Sequence, residues 1–385
     1  MNREKLERVL CIVIASVLFV FSVLFIALTR SWTNPPEQEL KNKVTLNEVG
    51  KKLEESVSEE SANFPTSLLA PFVDMVQWVD TASAYSINGV PNLLQIYYDT
   101  GIKYYNLGFI RADSNKPTES DGTIRWCWGG LYSLSPNGSD KFQYAGIEES
   151  IRQIKEAGGD VIVSFGGQLG NSPWTDSQSE EKLAQMYTEV INTYGLKRID
   201  LDIEESNQGT YNNSINARAV KKVQDKTGIE VSLTIPIMPY GWDTTQLNLI
   251  RAYINAGVKI SVINNMTMCY GYSGVRSGED FGDASIRALK NAMIQLKQIY
   301  AEYNVTITDE EAYKMLGATV DIGYENSDNP TFTADLTQKV AEFCKESGVA
   351  MYSFWSMNRD ARLESNKGIY YQYGHTTAAS YYLDK

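Results

Sequence analysis

Asp200, Asp202 and Glu204 stand at every second position of "KRIDLDIEE" (residues 197–205), with Ile199, Leu201 and Ile203 between them. In an extended segment alternate side chains share a face. The three carboxylates therefore point one way, about 6.5–7 Å from one to the next, and the aliphatic residues point the other way. Like charges crowded into a confined site raise at least one pKa. Glu204 is the outermost and the natural proton holder, and a carboxyl kept protonated near neutral pH serves as a general acid. Asp202 is placed to share or relay that proton, and Asp200 to tune it from below. The plain alternative is an edge strand with a solvated acidic face.

Which alternative holds depends on the elements around the run. After residue 64, eight short β-branched or aromatic runs recur: 68–76, 104–110, 160–167, 198–204, 230–239, 260–270, 316–324 and 350–356. Each has strand length. Helix-compatible stretches separate them, such as "GIEESIRQIKEAGG", "SEEKLAQMYTEVINTYG", "ASIRALKNAMIQLKQIYAEY" and "TADLTQKVAEFCKESG". The first, second and fourth end on the glycine that closes helices. Strands alternating with helices predict parallel pairing through right-handed crossovers. Eight such units predict an α/β (β/α)8 TIM barrel. A doubly wound open sheet is the runner-up, but no GxGxxG or GxxxxGK[ST] loop follows the early strands. In a barrel the acidic run is fourth of eight, so it has no edge, and its carboxylates face inward. The active site of a barrel lies at the C-terminal ends of its strands, and Gly166, Gly167, Glu204, Tyr270 and Trp355 all fall at run ends.

The N-terminus differs. Residues 9–28, "VLCIVIASVLFVFSVLFIAL", form an uncharged apolar run of bilayer-spanning length, preceded by Arg3, Lys5 and Arg8. It is longer than the apolar region of a secretory signal and lacks a good cleavage site. The expectation is an uncleaved membrane anchor with residues 1–8 cytoplasmic and everything after Arg30 outside. Cleavage and secretion, or a buried core helix, are the alternatives. Residues 31–63 are polar, carry Pro35 and Pro36, and read as a stalk with some helix around 45–60. Residues 64–385 make one block of a size that suits a single barrel.

Composition narrows the chemistry. A net charge of −12 argues against nucleic acid as a partner. Cys11, Cys127, Cys269 and Cys344 have no metal-type spacing, and with Cys11 in the apolar run an odd number remains. The single histidine, His375, would have to carry any Ser-His-Asp triad or multi-histidine metal site. Neither is expected, and no cofactor or metal is expected. The chain is expected to be a monomer.

The acidic run also resembles the D-x-x-D-x-D-x-E signature of glycoside hydrolase family 18, the chitinases and endo-β-N-acetylglucosaminidases, in its bacterial type. "VSFGG" (163–167) is similar to that family's S-x-G-G motif on strand three. "NNMTMCYG" (264–271) is similar to its strand-six motif, and "MYSFWSMNRD" (351–360) to its strand-eight segment. The resemblance runs over most of 68–360 in the expected order. It implies hydrolysis of β-1,4 bonds next to N-acetylglucosamine by retaining, substrate-assisted catalysis. Glu204 would be general acid/base, Asp202 would orient the acetamido group and Asp200 would support it. Tyr270 would bond the acetamido oxygen with Met268 packing nearby, and Trp355 would lie under the sugar. Gly166, Gly167 and Asn326 would help bind substrate. Plain alternatives remain for three of these: Trp355 as core, Tyr270 as a satisfied rim residue, and Gly166-Gly167 as a turn.

Several positions depart from the family spelling. Lys197 stands at the signature's first Asp and Arg198 at its Gly. Cys269 stands where strand six often has Asp, and Asn326 where strand seven often has one. Chitin, peptidoglycan and N-glycan cores all carry the acetamido group the mechanism needs. The competing reading from another class is a sugar-binding, lectin-like family member at the cell surface. A barrel lyase or aldolase would want a catalytic Lys or metal ligands at strand ends, and no clear Lys candidate is present.

Overall fold

The computed structural model describes residues 36–57, 63–324, 326–362 and 367–382. Each of the eight expected runs forms part of one curled parallel sheet. Strand β1 (68–74) comes in two pieces, Leu68–Leu69 and Phe72–Asp74, separated by Ala70-Pro71, where proline has no N–H to donate to the ladder. The others are β2 (Tyr104–Ala112), β3 (Asp160–Gly166), β4 (Arg198–Asp202), β5 (Glu230–Pro236), β6 (Ile260–Met266), β7 (Leu316–Asp321) and β8 (Met351–Trp355). They pair in sequence order from β2 to β8, always in parallel. The first piece of β1 pairs with β8, Leu68 opposite Met351, and the second with β2, Phe72 opposite Asn106. Both ends of the sheet thus meet at β1, an order consistent with the expected (β/α)8 barrel and not with an open doubly wound sheet.

Several expected runs are longer than the strands they contain. β5 stops at Pro236, β6 at Met266 and β7 at Asp321. The surplus residues are loops at the C-terminal rim. A short strand, Trp126–Trp128, pairs antiparallel with the end of β2, Ile110 opposite Trp128; its three residues were too few to register as a strand by pattern.

Local chemistry explains the helix ends. The helix Glu180–Tyr194 starts where Ser179 accepts a hydrogen bond from the Lys182 N–H at 3.3 Å and stops where Gly195 turns left-handed at φ 59°. The helix Lys141–Glu156 is capped by Asp140, which accepts from the Gln143 N–H at 3.0 Å. The helices Phe281–Glu302 and Ala334–Ser347 follow β6 and β7 as expected. The core lies between this helical layer and the sheet, where Ile199, Leu201 and Ile203 of the acidic run are fully buried. Their face is the outward one, so alternation places the carboxylates inside.

Residues 1–51 and 52–385 form two units. The described part of the first is entirely helical, belonging to the helix Pro36–Val57, which begins earlier than the sequence pattern suggested. The apolar run 9–28 lies outside the described residues. Among those described, no helix is long and apolar enough to cross a membrane.

Candidate active site

The interior of the sheet is polar where Asp200 sits. Asp200 is fully buried and accepts three hydroxyl hydrogen bonds: from Ser164 of β3 to Oδ2 at 2.6 Å, and from Ser232 and Thr234 of β5 to Oδ1 at 2.7 and 2.8 Å. Thr234 Oγ1 accepts in turn from Asn264 Nδ2 at 3.0 Å, and Asn264 Oδ1 accepts from Thr319 at 2.9 Å. One hydrogen-bonded belt therefore crosses β3 to β7. Burial pushes the Asp200 carboxyl up, while the three hydroxyls oppose that rise by favouring its charge.

Above Asp200 the chain stays extended through Glu204, at φ −134° and ψ 171°, and turns away only at Glu205, at φ 48°. The alternation therefore survives past the formal end of β4, and all three acids share the inner face. Asp202 is buried, and its Oδ1 has no hydrogen-bond partner among the described residues. Burial, and then the charges of Glu204 and Asp200, hold its carboxyl well above the usual range. Glu204 is half-buried and hydrogen-bonded to Asp202. Burial and then the charge of Glu205 push it up to about 7, against the pull of Arg111.

These carboxyls line a cavity of about 410 Å³ at the C-terminal ends of the strands. Its aromatic wall is built from Trp355, the last residue of β8, stacked on Phe109 of β2 at 5.7 Å and tilted against Phe72 of β1 at 6.3 Å. Met268 and Cys269 line it from the loop after β6. Asp74, Arg111 and Asp321 line it from the ends of β1, β2 and β7, and Arg359, beyond β8, is ion-paired with Asp321. A paired acid held near neutrality beside a flat aromatic wall is equipped to protonate a leaving group on a ring-shaped substrate.

No family model matches the chain. It is 28% identical over 323 residues to a probable bifunctional chitinase/lysozyme of Escherichia coli (strain K12), a match covering 80% of this chain and 32% of that protein. It is 27% identical over 322 residues to endochitinase 11 of Metarhizium anisopliae, covering 80% of this chain and 55% of the relative. The chain thus spans from about a third to about half the length of these curated relatives. Among solved structures, the catalytic domain of a hyperthermophilic chitinase from Pyrococcus furiosus matches with a TM-score of 0.66 and 25% identity, over 83% of this chain and 96% of that one. Catalytic-site mutants of active domain 2 of the Pyrococcus furiosus thermostable chitinase, complexed with chito-oligosaccharides, match at 26% identity and the same TM-score, over 83% and 95%.

The chain is similar to chitinases in sequence and in fold. Of the residues singled out from the sequence of this chitinase-like chain, the cavity brings together Asp202, Glu204, Met268 and Trp355, with Asp200 directly beneath. Four others are placed elsewhere. Tyr270 is 4% exposed and packs edge-on against Phe281 at 5.3 Å, away from the cavity lining. The reason is local: Cys269 and Gly271 both take positive φ, so the chain twists and turns the Tyr270 ring toward the helix Phe281–Glu302. Gly166 and Gly167 are buried and do not line the cavity. A Cβ on Gly166, at φ 107°, would lie 2.2 Å from the Asp202 carbonyl oxygen, so this glycine allows a close backbone approach. The Gly167 N–H donates to that same carbonyl at 3.1 Å. The glycine pair is a turn that fixes the end of β4. Asn326 is exposed in the loop five residues past β7, where its Oδ1 accepts from the Asp328 N–H at 2.9 Å.

The departures at Lys197 and Arg198 fall at the opposite end of β4. Arg198 pairs with Glu230 at 2.7 Å and covers the Phe64 ring, and Lys197 pairs with Asp160 at 3.1 Å. They brace the N-terminal side of the sheet and do not reach the cavity. Arg111, Asp74 and Asp321 were not found from the sequence. The strand-end rule points to Asp74 and Asp321, which close the β1 and β7 pieces, whereas Arg111 sits one residue past the run 104–110 and its partner, the Gly166 carbonyl, lies on β3.

Proposed function

We propose that the chain hydrolyses β-1,4 glycosidic bonds next to N-acetylglucosamine in an oligosaccharide or polysaccharide, through retaining, substrate-assisted catalysis. The observation that carries this reading is geometric: Asp202 and Glu204 share the inner face of one extended segment and line a cavity walled by Trp355, where burial pushes Glu204 up to about 7. Protonated Glu204 gives its proton to the glycosidic oxygen. The substrate's acetamido oxygen attacks the anomeric carbon as the C–O bond breaks, so no second enzyme carboxylate acts as nucleophile. The unpartnered Asp202 Oδ1 is costly to leave buried, and an acetamido N–H satisfies it while the carboxylate offsets the positive charge that develops on the ring formed. Glu204, now ionised, takes a proton from the water that opens this ring. Trp355 presents its face to the C–H face of the sugar. The likeness to chitinases supports the same substrate class.

The uncleaved anchor read from residues 9–28 makes this a membrane-tethered, extracytoplasmic activity in our proposal. The catalytic test is Glu204→Gln assayed on a fluorogenic chitooligosaccharide. Loss of about 10²–10⁴-fold in kcat, with sugar binding retained, is expected. A parent that binds the sugar and never cleaves it would replace this reading by a lectin. An active parent indifferent to a thiazoline analogue of N-acetylglucosamine would remove the substrate-assisted step.

A further inference from the structure

Four carboxylates line the cavity, Asp74, Asp202, Glu204 and Asp321, against two guanidinium groups among the described residues. Arg359 is committed to Asp321 and to the Ile322 carbonyl oxygen. Arg111 is held differently. Its Nε–H donates to the Gly166 carbonyl at 2.6 Å, and its guanidinium carbon lies 5.8 Å from the centre of the Phe109 ring. A Cβ on Gly167 would come within 3.0 Å of Nη2 and of that ring. The turn that clamps Arg111 is the turn whose Gly167 N–H holds the Asp202 backbone carbonyl. One loop therefore fixes both the cation and the strand end that carries the acids.

We propose that Arg111 is the positioning residue that balances the charge of the Asp202–Glu204 pair. Its catalytic consequence rests on the hydrolytic reading above, but its measurement does not. Without Arg111, the groups around Glu204 are almost all acidic. Asp200 and Asp202 lie below it and Glu205 follows it on the same segment; Asp74 faces it from β1 and Asp321 from β7, with Cys269 on the loop after β6. Arg359 is already spent on Asp321. Burial and these like charges all push the pair toward its neutral forms, leaving less carboxylate to meet a developing positive charge. Arg111 opposes that: its charge acts on both members of the pair and on Asp74.

The test is a carboxyl-carbon NMR titration of protein labelled with ¹³C-glutamate, Glu204 being assigned by the signal lost in Glu204→Gln. In Arg111→Gln the Glu204 midpoint is expected to rise by on the order of one pH unit, the effect of removing an opposite charge that lines the same cavity. In Arg111→Lys it is expected to stay within about half a unit, since the charge is kept. Arg111→Met, neutral and of similar length, serves if the Gln variant does not fold. A folded neutral variant with an unmoved midpoint overturns the proposal, as does an equal rise in the Lys and neutral variants. With an active parent, the basic limb of kcat/KM moves up by the same interval. An inert parent whose Glu204 midpoint still rises in Arg111→Gln leaves the role of Arg111 standing and removes the proposed function instead.

Discussion

Glu204→Gln should stabilise the folded chain at pH 8 relative to the parent, and much less at pH 5. Glu204 goes from 4.5 to about 7 on folding, chiefly because burial disfavours its charge. Below the lower value both states hold the proton. Between the two values the folded state keeps it and the unfolded chain has released it, so rising pH favours unfolding. The loss is complete just above 7. At 1.36 kcal/mol per unit the full shift corresponds to about 3 kcal/mol, and the partial exposure of Glu204 reduces this to about 2 kcal/mol. Glutamine does not titrate, so the variant escapes the loss. Removing Glu204 also lifts its charge from Asp202, whose carboxyl it helps to raise, and this acts in the same direction. Urea unfolding at pH 5 and pH 8, for parent and variant, isolates the difference because every distant group contributes equally to both. Equal pH 5-to-8 losses in the two proteins would refute the claim that Glu204 is held protonated by its surroundings.

Three further outcomes follow from the same geometry. The kcat/KM profile on a fluorogenic chitooligosaccharide should lose activity along a basic limb centred near pH 7, where Glu204 gives up its proton; a plateau to pH 9 would exclude Glu204 as the acid. Gly166→Ala forces a Cβ to 2.2 Å from a backbone oxygen at φ 107°, whereas Gly228→Ala, at φ 70° with nothing within 4 Å, meets only the left-handed penalty. Urea unfolding should show about 1 kcal/mol for Gly228→Ala and about 3 kcal/mol or more for Gly166→Ala, and equal costs would deny that the glycine pair seats β4. Asp200→Asn puts an amide N–H among three hydroxyl donors now aimed at one carboxylate, so a loss of about 1–3 kcal/mol is expected in the same assay, with an unchanged midpoint counting against the belt.

Most of the residues that could be read from the sequence are fixed by backbone alternation; Met268, on the loop after β6, was reached through the motif resemblance instead. Asp200, Asp202 and Glu204 lie on one face because the chain stays extended through Glu204, and strand geometry then leaves no freedom about which way they point. Trp355 was legible for a similar reason, being the last residue of a strand. Tyr270 and Asn326 lie beyond their strands, in segments whose direction is set by left-handed residues and Asx turns that no periodicity encodes. Their roles came from the resemblance of the segments after β6 and β7 to family motifs, and motif spelling beyond Met266 and Asp321 does not fix where the loop backbone turns a side chain. Arg111 failed for the opposite reason. It is still within β2, but a lone cation at the end of an aromatic run gives no sign of its partner, because the Gly166 carbonyl that clamps it is 55 residues away in sequence. Charge balance at the site is thus a property of loops meeting across the barrel. The acids are read along one strand, while the cation that makes them usable is visible only once β2 and β3 lie side by side.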